Sequence, residues 1–328
     1  MNRASAPLRR ASPAEMDRAA ALLREGGVVA FPTETVYGLG ARATDERAVA
    51  RVFEIKGRPR FDPLIVHVAD WDGARALAIE IPPLAERLAR RFWPGPLTLL
   101  LPKSPVVPDL VTAGLPTVAV RCPSHPVASE LLRRAAIPVA APSANRFGAL
   151  SPTSAEAVVE QLGGGPDLIL DGGPCPVGVE STILAMEGDA AVLLRPGGLA
   201  VEEIEAEIGP VRTGPATDAR PRAPGRLPRH YAPHTPLTLL EGAPPPDAPA
   251  ERAGLLAFRA PAQPQRYAAV ETLSSSGDLR EAAARFFAAL RRLDALGLER
   301  IFAEPAPNVG LGRAINDRLC RAADRGAD

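Results

Sequence analysis

The sequence predicts an α/β protein, with a twisted mixed sheet and flanking helices in a first domain and a small α/β domain after it. Three observations predict this class. Strand-type and helix-type segments alternate along the first 208 residues, which is the pattern of α/β domains. A stretch rich in proline and glycine interrupts this alternation at residues 209–236, and the alternation then restarts. The chain has 328 residues, enough for two domains of ordinary size.

The first domain is predicted over residues 12–208, where two helices carry clear start signals. Ser12-Pro13-Ala14-Glu15 is a capping box with proline at the first helical position, and Thr153-x-x-Glu156 is a second capping box. The predicted helices cover residues 12–25, 45–55, 82–92 and 153–162. Short apolar runs predict strands over residues 28–31, 63–68, 96–101, 117–122, 138–141, 168–170, 181–185 and 191–194.

Residues 209–236 are predicted to be an extended linker, because proline and glycine crowd the stretch and apolar residues almost vanish. The second domain is predicted over residues 237–328. Its expected strands cover residues 237–240, 254–258 and 300–303, and its expected helices cover residues 278–296 and 312–323.

Composition excludes several classes of protein. The 38 basic and 38 acidic residues cancel, so no overall field attracts a long nucleic acid, and we expect no stable binding of one. The three cysteines are far apart, which favours reduced thiols in the cytoplasm over a disulfide framework. The basic N-terminus has no apolar core behind it, and no apolar run approaches a membrane helix of roughly 20 residues. We therefore expect a cytoplasmic protein with no membrane partner.

The stretch PTETVYGLG, residues 32–40, follows the first predicted strand. Thr33 and Thr35 could bind a small polar ligand, and Gly38 and Gly40 would let backbone approach it. Alternatively, the threonines bond to their own backbone in a turn.

Basic residues then cluster at the end of the second predicted helix. Lys56 is one of only two lysines in an arginine-rich chain, and with Arg58 and Arg60 it could contact phosphate. The alternative is favourable pairing of these cations with the helix C-terminus. His67 shares a strand face with Ile65, where it could also be a core histidine.

Arg121 lies within an alternating strand and therefore needs a carboxylate partner. That partner could be an internal acid or the carboxylate of a substrate. Further polar residues lie where strands end, and their convergence favours a ligand cleft there. They are Ser143, Asn145, Ser151, Ser181, Thr182 and Arg195.

Familiar nucleotide and nucleophile motifs are absent from the sequence: there is no GxxxxGK[ST] loop, no GxGxxG after the first strand and no GxSxG. No acidic and histidine cluster has metal-ligand spacing. A bound nucleotide would have to be held by dispersed serine, threonine, arginine and lysine residues.

Several motifs, taken together and in order, resemble the Sua5/YrdC family, in particular its long form, the Sua5 form of threonylcarbamoyl-AMP synthase. They are PTETVYGLG, KGRPxxxPLIVHV, WPGPLTLLL, VAVRCP, APSANxFGxLSPT, GVESTI and LLRPGG, and they lie between about residues 14 and 200. RHYAPHTPL at residues 229–237 resembles the family's linker motif. The resemblance implies a YrdC-like catalytic domain and a small Rossmann-like Sua5 domain.

The resemblance implies a nucleotidyltransferase, an L-threonylcarbamoyladenylate synthase that uses L-threonine, bicarbonate and ATP and releases pyrophosphate. Mg2+ would accompany the ATP phosphates, with no organic cofactor and no protein-held metal. The product would pass to the tRNA threonylcarbamoyltransferase machinery, which modifies adenosine 37 of ANN-decoding tRNAs to t6A.

The resemblance also implies residue roles. Arg121 would hold the threonine carboxylate, and the amino-acid pocket would be completed by Thr35, His67, Ala141 and Ser181. The nucleotide would be bound by Lys56, Arg58, Asp62, Thr117, Ser143, Ser151, Arg195 and Tyr231. Lys56, Arg58, Arg121 and Arg195 are the expected catalytic residues, and Tyr231 is expected to close over the site as part of a lid. Asp62 departs from the asparagine that the family pattern favours.

Two other functions are considered. An RNA-binding module of the YrdC type would show salt-dependent affinity for RNA without ATP turnover, and the neutral charge disfavours it. The related domain of hydrogenase maturation proteins comes with an acylphosphatase domain and CxxC fingers, which this sequence lacks. The role of the second domain stays open.

Overall fold

The computed structural model describes residues 6–214, 221–227, 230–241 and 252–323. The predicted linker therefore has residues 215–220 and 228–229 outside the described ranges, including Arg229 of the RHYAPHTPL motif. Residues 324–328 of the predicted second domain also lie outside them.

The first domain is built on a mixed sheet that has eleven strands within the described residues. In chain order they are β1 (Leu8–Arg10), β2 (Val29–Phe31), β3 (Gly38–Arg42), β4 (Ile65–His67), β5 (Leu97–Pro102), β6 (Thr117–Arg121), β7 (Val139–Ala140), β8 (Leu168–Asp171), β9 (Thr182–Glu187), β10 (Ala190–Arg195) and β11 (Arg212–Thr213). Their order across the sheet is β1-β8-β2-β3-β7-β4-β6-β5-β9-β10-β11. The sheet contains parallel pairs such as β4 with β6 and antiparallel pairs such as β5 with β6, which confirms the mixed sheet.

Helices of the first domain pack on this sheet. They are α1 (Pro13–Arg24), α2 (Glu46–Lys56), α3 (Trp71–Ala76), α4 (Pro83–Phe92), α5 (Asp109–Thr112), α6 (Pro126–Ala135), α7 (Ala155–Leu162) and α8 (Val201–Ile208). The first predicted box is confirmed in its N-cap half, since the Ser12 side chain accepts from the amide of Glu15, while the amide of Ser12 donates to the carbonyl of Arg10. The second is wrong by one residue: Ser154 caps α7, accepting from the amide of Ala157.

The second domain holds a parallel sheet that has four strands within the described residues. Its strands are β12 (Leu237–Leu239), β13 (Ala253–Ala257), β14 (Ala269–Thr272) and β15 (Arg300–Ala303), in the order β12-β15-β13-β14. Helices α9 (Leu279–Asp294) and α10 (Gly312–Ala322) accompany it. All three pairings are parallel, which confirms the small Rossmann-like domain.

Strand β3 was not predicted, because its glycines are typical of a loop. The structure gives Gly40 a packing reason: a Cβ at this position would lie 2.6 Å from the Phe31 ring and 2.7 Å from Val139. A glycine here lets β3 pair closely with β2 and β7 on either side. Strands β2 and β3 therefore pair closely on either side of the loop at residues 32–37, which connects them.

One buried apolar cluster contains side chains of both domains. Val36, Leu150 and Val179 of the first domain belong to the same buried cluster as Phe286 and Phe287 of α9. At Gly178 the backbone has a φ of 78°, and a Cβ there would lie 2.3 Å from the carbonyl oxygen of Ala283. The second domain is therefore packed directly against loops that connect strands of the eleven-stranded sheet.

Candidate functional site

A cavity of about 50 Å³ lies between the polar ends of the sheet and the linker. Nine of the predicted site residues line it. They are Thr35, Arg58, His67, Arg121, Ala141, Ser143, Ser181, Arg195 and Tyr231. Residues far apart in sequence converge here because β4, β6 and β7 are neighbours in the sheet.

Arg121, at the end of β6, is buried in the cavity wall. Its Nη2 lies 2.7 Å from Oε1 of Glu34, its Nη1 donates to Oγ1 of Thr35 at 2.9 Å, and its Nε donates to the carbonyl of Gly95 at 3.4 Å. The partner of Nη2 is therefore an internal acid, Glu34, which was one of the two predicted alternatives. A guanidinium has five N–H donors, so these three contacts leave two N–H groups, and Arg121 lines the cavity.

Glu34 holds this arginine in place, and the sequence reasoning missed it. Burial raises the pKa of the Glu34 carboxyl, but the charge of Arg121 and its hydrogen bond outweigh that effect and hold the pKa below its usual value. The carboxylate is therefore ionised at neutral pH, and it fixes the guanidinium electrostatically.

The threonines of the β2–β3 loop were predicted either to bind a ligand or to bond to their own backbone in a turn, and the structure shows contacts of both kinds. Thr33 Oγ1 donates to the carbonyl of Val36 at 2.6 Å and accepts from the amides of Thr35 and Val36 at 3.2 Å. This hydroxyl serves the turn, as the structural alternative predicted. Thr35 Oγ1 accepts from Arg121 and is also hydrogen-bonded to Thr33 Oγ1 at 2.8 Å, and both threonines line the cavity.

His67 is buried on the same face of β4 as Ile65, and both line the cavity. Burial and then the charge of Arg121 lower the pKa of His67 to about 3. Its Nδ1 has no hydrogen-bond partner in the part of the chain that the structure describes. The imidazole is thus neutral at physiological pH and adds no positive charge beside Arg121.

Lys56 does not line the cavity but shapes its wall. Its Nζ donates to the carbonyls of Ser143 and Asn145 at 2.5 and 2.6 Å. Burial, and after it the charge of Arg58, lowers the pKa of Lys56 well below the usual value. Through these two hydrogen bonds Lys56 holds the loop after β7, and this loop presents Ser143 to the cavity.

Arg58 lines the cavity, and Asp62 lies behind it. Arg58 Nη2 lies 2.8 Å from Oδ2 of Asp62 and donates to the carbonyl of Pro63 at 2.8 Å. Asp62 is fully buried, and burial raises the pKa of its carboxyl against the opposing effect of Arg58. Asp62 therefore orients Arg58, which lines the cavity.

Arg195, at the end of β10, joins the first domain to the linker. Its Nη2 donates to the carbonyl of Ser181 at 2.9 Å, and its Nη1 donates to the carbonyl of Pro224 at 3.1 Å. Both Ser181 and Pro224 line the cavity. The arginine consequently sets the distance between the sheet and the linker.

Ser151 lies outside the cavity and reaches it through Glu180, which the sequence reasoning missed. Ser151 Oγ donates to Oε1 of Glu180 at 2.5 Å, and Nε of Arg318, from α10, donates to Oε2 at 3.0 Å. Glu180 lines the cavity. Its position within GVESTI was visible in the sequence, but its distant partner in the second domain was not.

Thr117 is the predicted site residue farthest along its strand from the cavity. It begins β6 opposite Pro102 and is partly exposed. It lies four residues from Arg121, or about 13 Å at 3.3 Å per residue. Its contact with a nucleotide stays a prediction.

The linker covers the cavity in this structure. Tyr231 is buried with a φ of 62°, and its ring packs against His230 at 4.1 Å and Phe287 of α9 at 5.8 Å. His230 also lines the cavity and was not predicted. A φ in the left-handed region is unfavourable for tyrosine, so packing of the ring stabilises this conformation.

The described residues offer no group of three or more histidine, cysteine, aspartate or glutamate side chains that could hold a metal ion. Glu180, which lines the cavity, and Asp62 and Glu34, which contact cavity residues, each pair with an arginine instead. None of the helices that the structure describes is long and apolar enough to cross a membrane.

Comparison with known proteins covers both domains. A family model described as "Telomere recombination" (Sua5_yciO_yrdC) matches residues 21–197, and a model of the "Threonylcarbamoyl-AMP synthase, C-terminal domain" matches residues 199–324. A threonylcarbamoyl-AMP synthase of Pyrococcus abyssi is 46% identical over 316 residues, which cover 93% of this chain and 92% of that protein. One from Bacillus subtilis is 45% identical, covering 94% and 93%.

A solved structure has the same fold over nearly the whole length. The crystal structure of P. abyssi Sua5 complexed with L-threonine aligns with a TM-score of 0.89 and 44% identity, covering 97% of each chain.

Proposed function

The chain belongs to the Sua5/YrdC family, in its long form with both domains, and from this membership and the cavity we propose that it is an L-threonylcarbamoyladenylate synthase. The reaction joins L-threonine, bicarbonate and ATP and releases pyrophosphate, which makes the enzyme a nucleotidyltransferase. The product supplies the group that the tRNA threonylcarbamoyltransferase machinery places on adenosine 37 of ANN-decoding tRNAs.

The chemistry needs no nucleophile from the protein. The amine of threonine and bicarbonate give a carbamate and water. A carbamate oxygen then bonds to the α-phosphorus of ATP, the bond from that phosphorus to the bridging oxygen breaks, and pyrophosphate leaves. Catalysis of such a displacement rests on alignment and on stabilisation of charge.

The observation that carries the proposal is the buried Arg121 guanidinium beside Thr35 and neutral His67. Its two remaining donors suit a carboxylate, and burial strengthens a charge-assisted hydrogen bond. The neutral imidazole of His67 would lie beside the threonine amine or hydroxyl, since His67 lines the same cavity as Arg121. The backbone at Ala141 and the hydroxyl of Ser181 complete the walls.

ATP would lie toward Arg58, Arg195 and Ser143, with Lys56 and Ser151 shaping the walls behind them. A cavity of about 50 Å³ is far smaller than the roughly 300–1,000 Å³ of pockets for drug-sized ligands. The linker around Tyr231 must therefore move for the nucleotide to bind. Mg2+ would arrive with the ATP phosphates as part of the substrate.

Pyrophosphate release by the full-length protein, with ATP, bicarbonate and each amino acid in turn, tests the proposal. We expect release to require both L-threonine and bicarbonate, and to fall at least about a hundredfold in Arg121→Ala, the scale of losing a charged hydrogen-bonding partner. Arg90→Ala is the matched control, since Arg90 is exposed on α4 and its ion pair in the described part of the chain is with nearby Glu86. Folded protein that released no pyrophosphate would contradict the proposal, and RNA binding without turnover would favour the alternative module.

A further inference from the structure

One arginine of the second domain contacts both the catalytic domain and the linker. Arg318, on α10, has a side chain with 0% exposure. Its Nε donates to Oε2 of Glu180 at 3.0 Å, and its Nη1 donates to the carbonyl of Pro196 at 2.5 Å. Its guanidinium carbon also lies 5.2 Å from the centre of the Tyr231 ring, within cation–π range.

Glu180 carries this contact into the cavity. Its second carboxylate oxygen accepts from Ser151, and its own side chain lines the cavity. The next residue, Ser181, is held by Arg195, which also binds the linker carbonyl of Pro224. The segment that forms this wall is thus fixed between one arginine from each domain.

Tyr231 depends on the same arginine from the other side. Its ring packs on Phe287 of α9 as well as on Arg318, while its backbone has a left-handed φ of 62°. Because that conformation is unfavourable by itself, the closed linker relies on contacts with the second domain. Loss of the Arg318 contact should shift the linker toward an open state.

We propose that Arg318 is a positioning residue for the reaction, which fixes Glu180 and the ring of Tyr231 together and so makes closure of the linker over ATP depend on the docked second domain. The proposal rests on the synthase function and deepens it. It assigns the second domain a direct part in building the nucleotide side of the site. Arg121, which would hold the threonine carboxylate, contacts Glu34, Thr35 and Gly95, and none of these three contacts is with Arg318. Ser181 is the residue of the predicted threonine pocket that adjoins Glu180.

The test compares Arg318→Met, Arg318→Lys and Glu180→Gln in the full chain. The matched control is Arg313→Met on the same helix. Arg313 also forms an ion pair across the domains, with Glu202, but both side chains are more than 40% exposed. Three readouts are taken: pyrophosphate release against ATP concentration, calorimetric binding of L-threonine, and trypsin cleavage after Arg226, which is buried in the closed linker.

We expect kcat/KM for ATP to fall at least about tenfold in Arg318→Met and Glu180→Gln, less in Arg318→Lys, and not in Arg313→Met. The Kd for L-threonine should change less than about threefold, and Arg318→Met should be cleaved faster after Arg226. The double variant Glu180→Gln/Arg318→Met should lose no more than the worse single variant, because the two residues act as one pair.

Arg318→Met behaving as Arg313→Met would overturn the proposal, as would an equal loss of L-threonine binding and ATP turnover. Should Arg318→Met fail to fold, Glu180→Gln and Arg318→Lys decide, since the former keeps the Ser151 hydrogen bond and the latter keeps the charge. A wild-type protein without pyrophosphate release would contradict the synthase function alone. Cleavage after Arg226 would then still show whether Arg318 holds the linker.

Discussion

Replacing Arg121 by methionine should separate the structural role of its guanidinium from its role toward the substrate. Methionine keeps much of the side-chain volume and removes the charge. The change breaks the 2.7 Å ion pair with Glu34 and the hydrogen bond to Thr35. Glu34 then remains buried, with a side chain 6% exposed and without its cation.

The expected loss of stability follows from that burial. Removing one partner of a buried ion pair costs about 3–5 kcal/mol, chiefly because the other charge is left uncompensated. We expect the free energy of unfolding of Arg121→Met to fall by this amount at pH 7. In the wild-type protein, the lowered pKa of Glu34 gives stability that is complete above the usual 4.5 and is lost as pH falls below it.

The sign of the pH effect reverses in the variant. With Arg121 gone, burial is the largest remaining influence on Glu34 and raises the pKa of its carboxyl. Glu34 then takes up a proton as pH falls from 7 toward 4.5. The difference in stability between wild type and Arg121→Met should therefore shrink over that interval.

Urea unfolding at several pH values and calorimetric binding of L-threonine measure the two roles. Glu34→Gln/Arg121→Met should regain about 2–3 kcal/mol of the lost stability, because no buried charge remains. It should not regain L-threonine binding, because the guanidinium donors are still absent. The reasoning fails if the double variant is no more stable than Arg121→Met, if the deficit is independent of pH, or if the double variant binds L-threonine like the wild type.

Two further predictions concern buried groups. The pKa of His67 is about 3 in the folded protein and 6.5 when unfolded, so His67 gives stability that is full above pH 6.5 and is lost as pH falls from there toward 3. Between pH 7 and pH 5, the free energy of unfolding of His67→Asn should therefore fall by about 2 kcal/mol less than that of the wild type. Equal pH slopes in urea unfolding would contradict this. Gly178→Ala should cost clearly more stability in thermal unfolding than Gly188→Ala. Both glycines have positive φ, 78° and 61°, so alanine at either position costs about 1–2 kcal/mol of strain. Of the two, only Gly178 would place a Cβ against the backbone of α9. Equal costs would show that the contact between the domains adjusts to the added methyl group without loss of stability.

Most of the architecture could be predicted from local signals. Apolar runs marked strands such as β5 and β6, and Ser12 with Pro13 marked the start of α1. The elements that were missed have weak local signals for a physical reason. Strand β3 contains two glycines needed for close packing, and α6 begins at Pro126 behind a histidine cap, His125.

The candidate site was predicted in part. Residues with a distinctive side chain in a distinctive local pattern, such as Arg121 in an alternating strand or Thr35 after β2, do line the cavity. Glu34, Glu180 and His230 were missed because an acid or a histidine in a polar loop is unremarkable until its partner is known. Lys56, Asp62 and Ser151 were predicted to contact the nucleotide, and in the structure they contact residues that line the cavity, namely Ser143, Arg58 and Glu180.

The sequence alone determined the fold class, the two domains and the family, since these depend on periodicity and on motifs within short stretches of chain. Only the tertiary structure decided which charges meet. Arg121 pairs with Glu34 over 87 residues, and Arg318 reaches Glu180 across 138 residues and a domain boundary. Pairing of buried charges depends on where strand ends and helices come together in space, and no local pattern of residues encodes that distance.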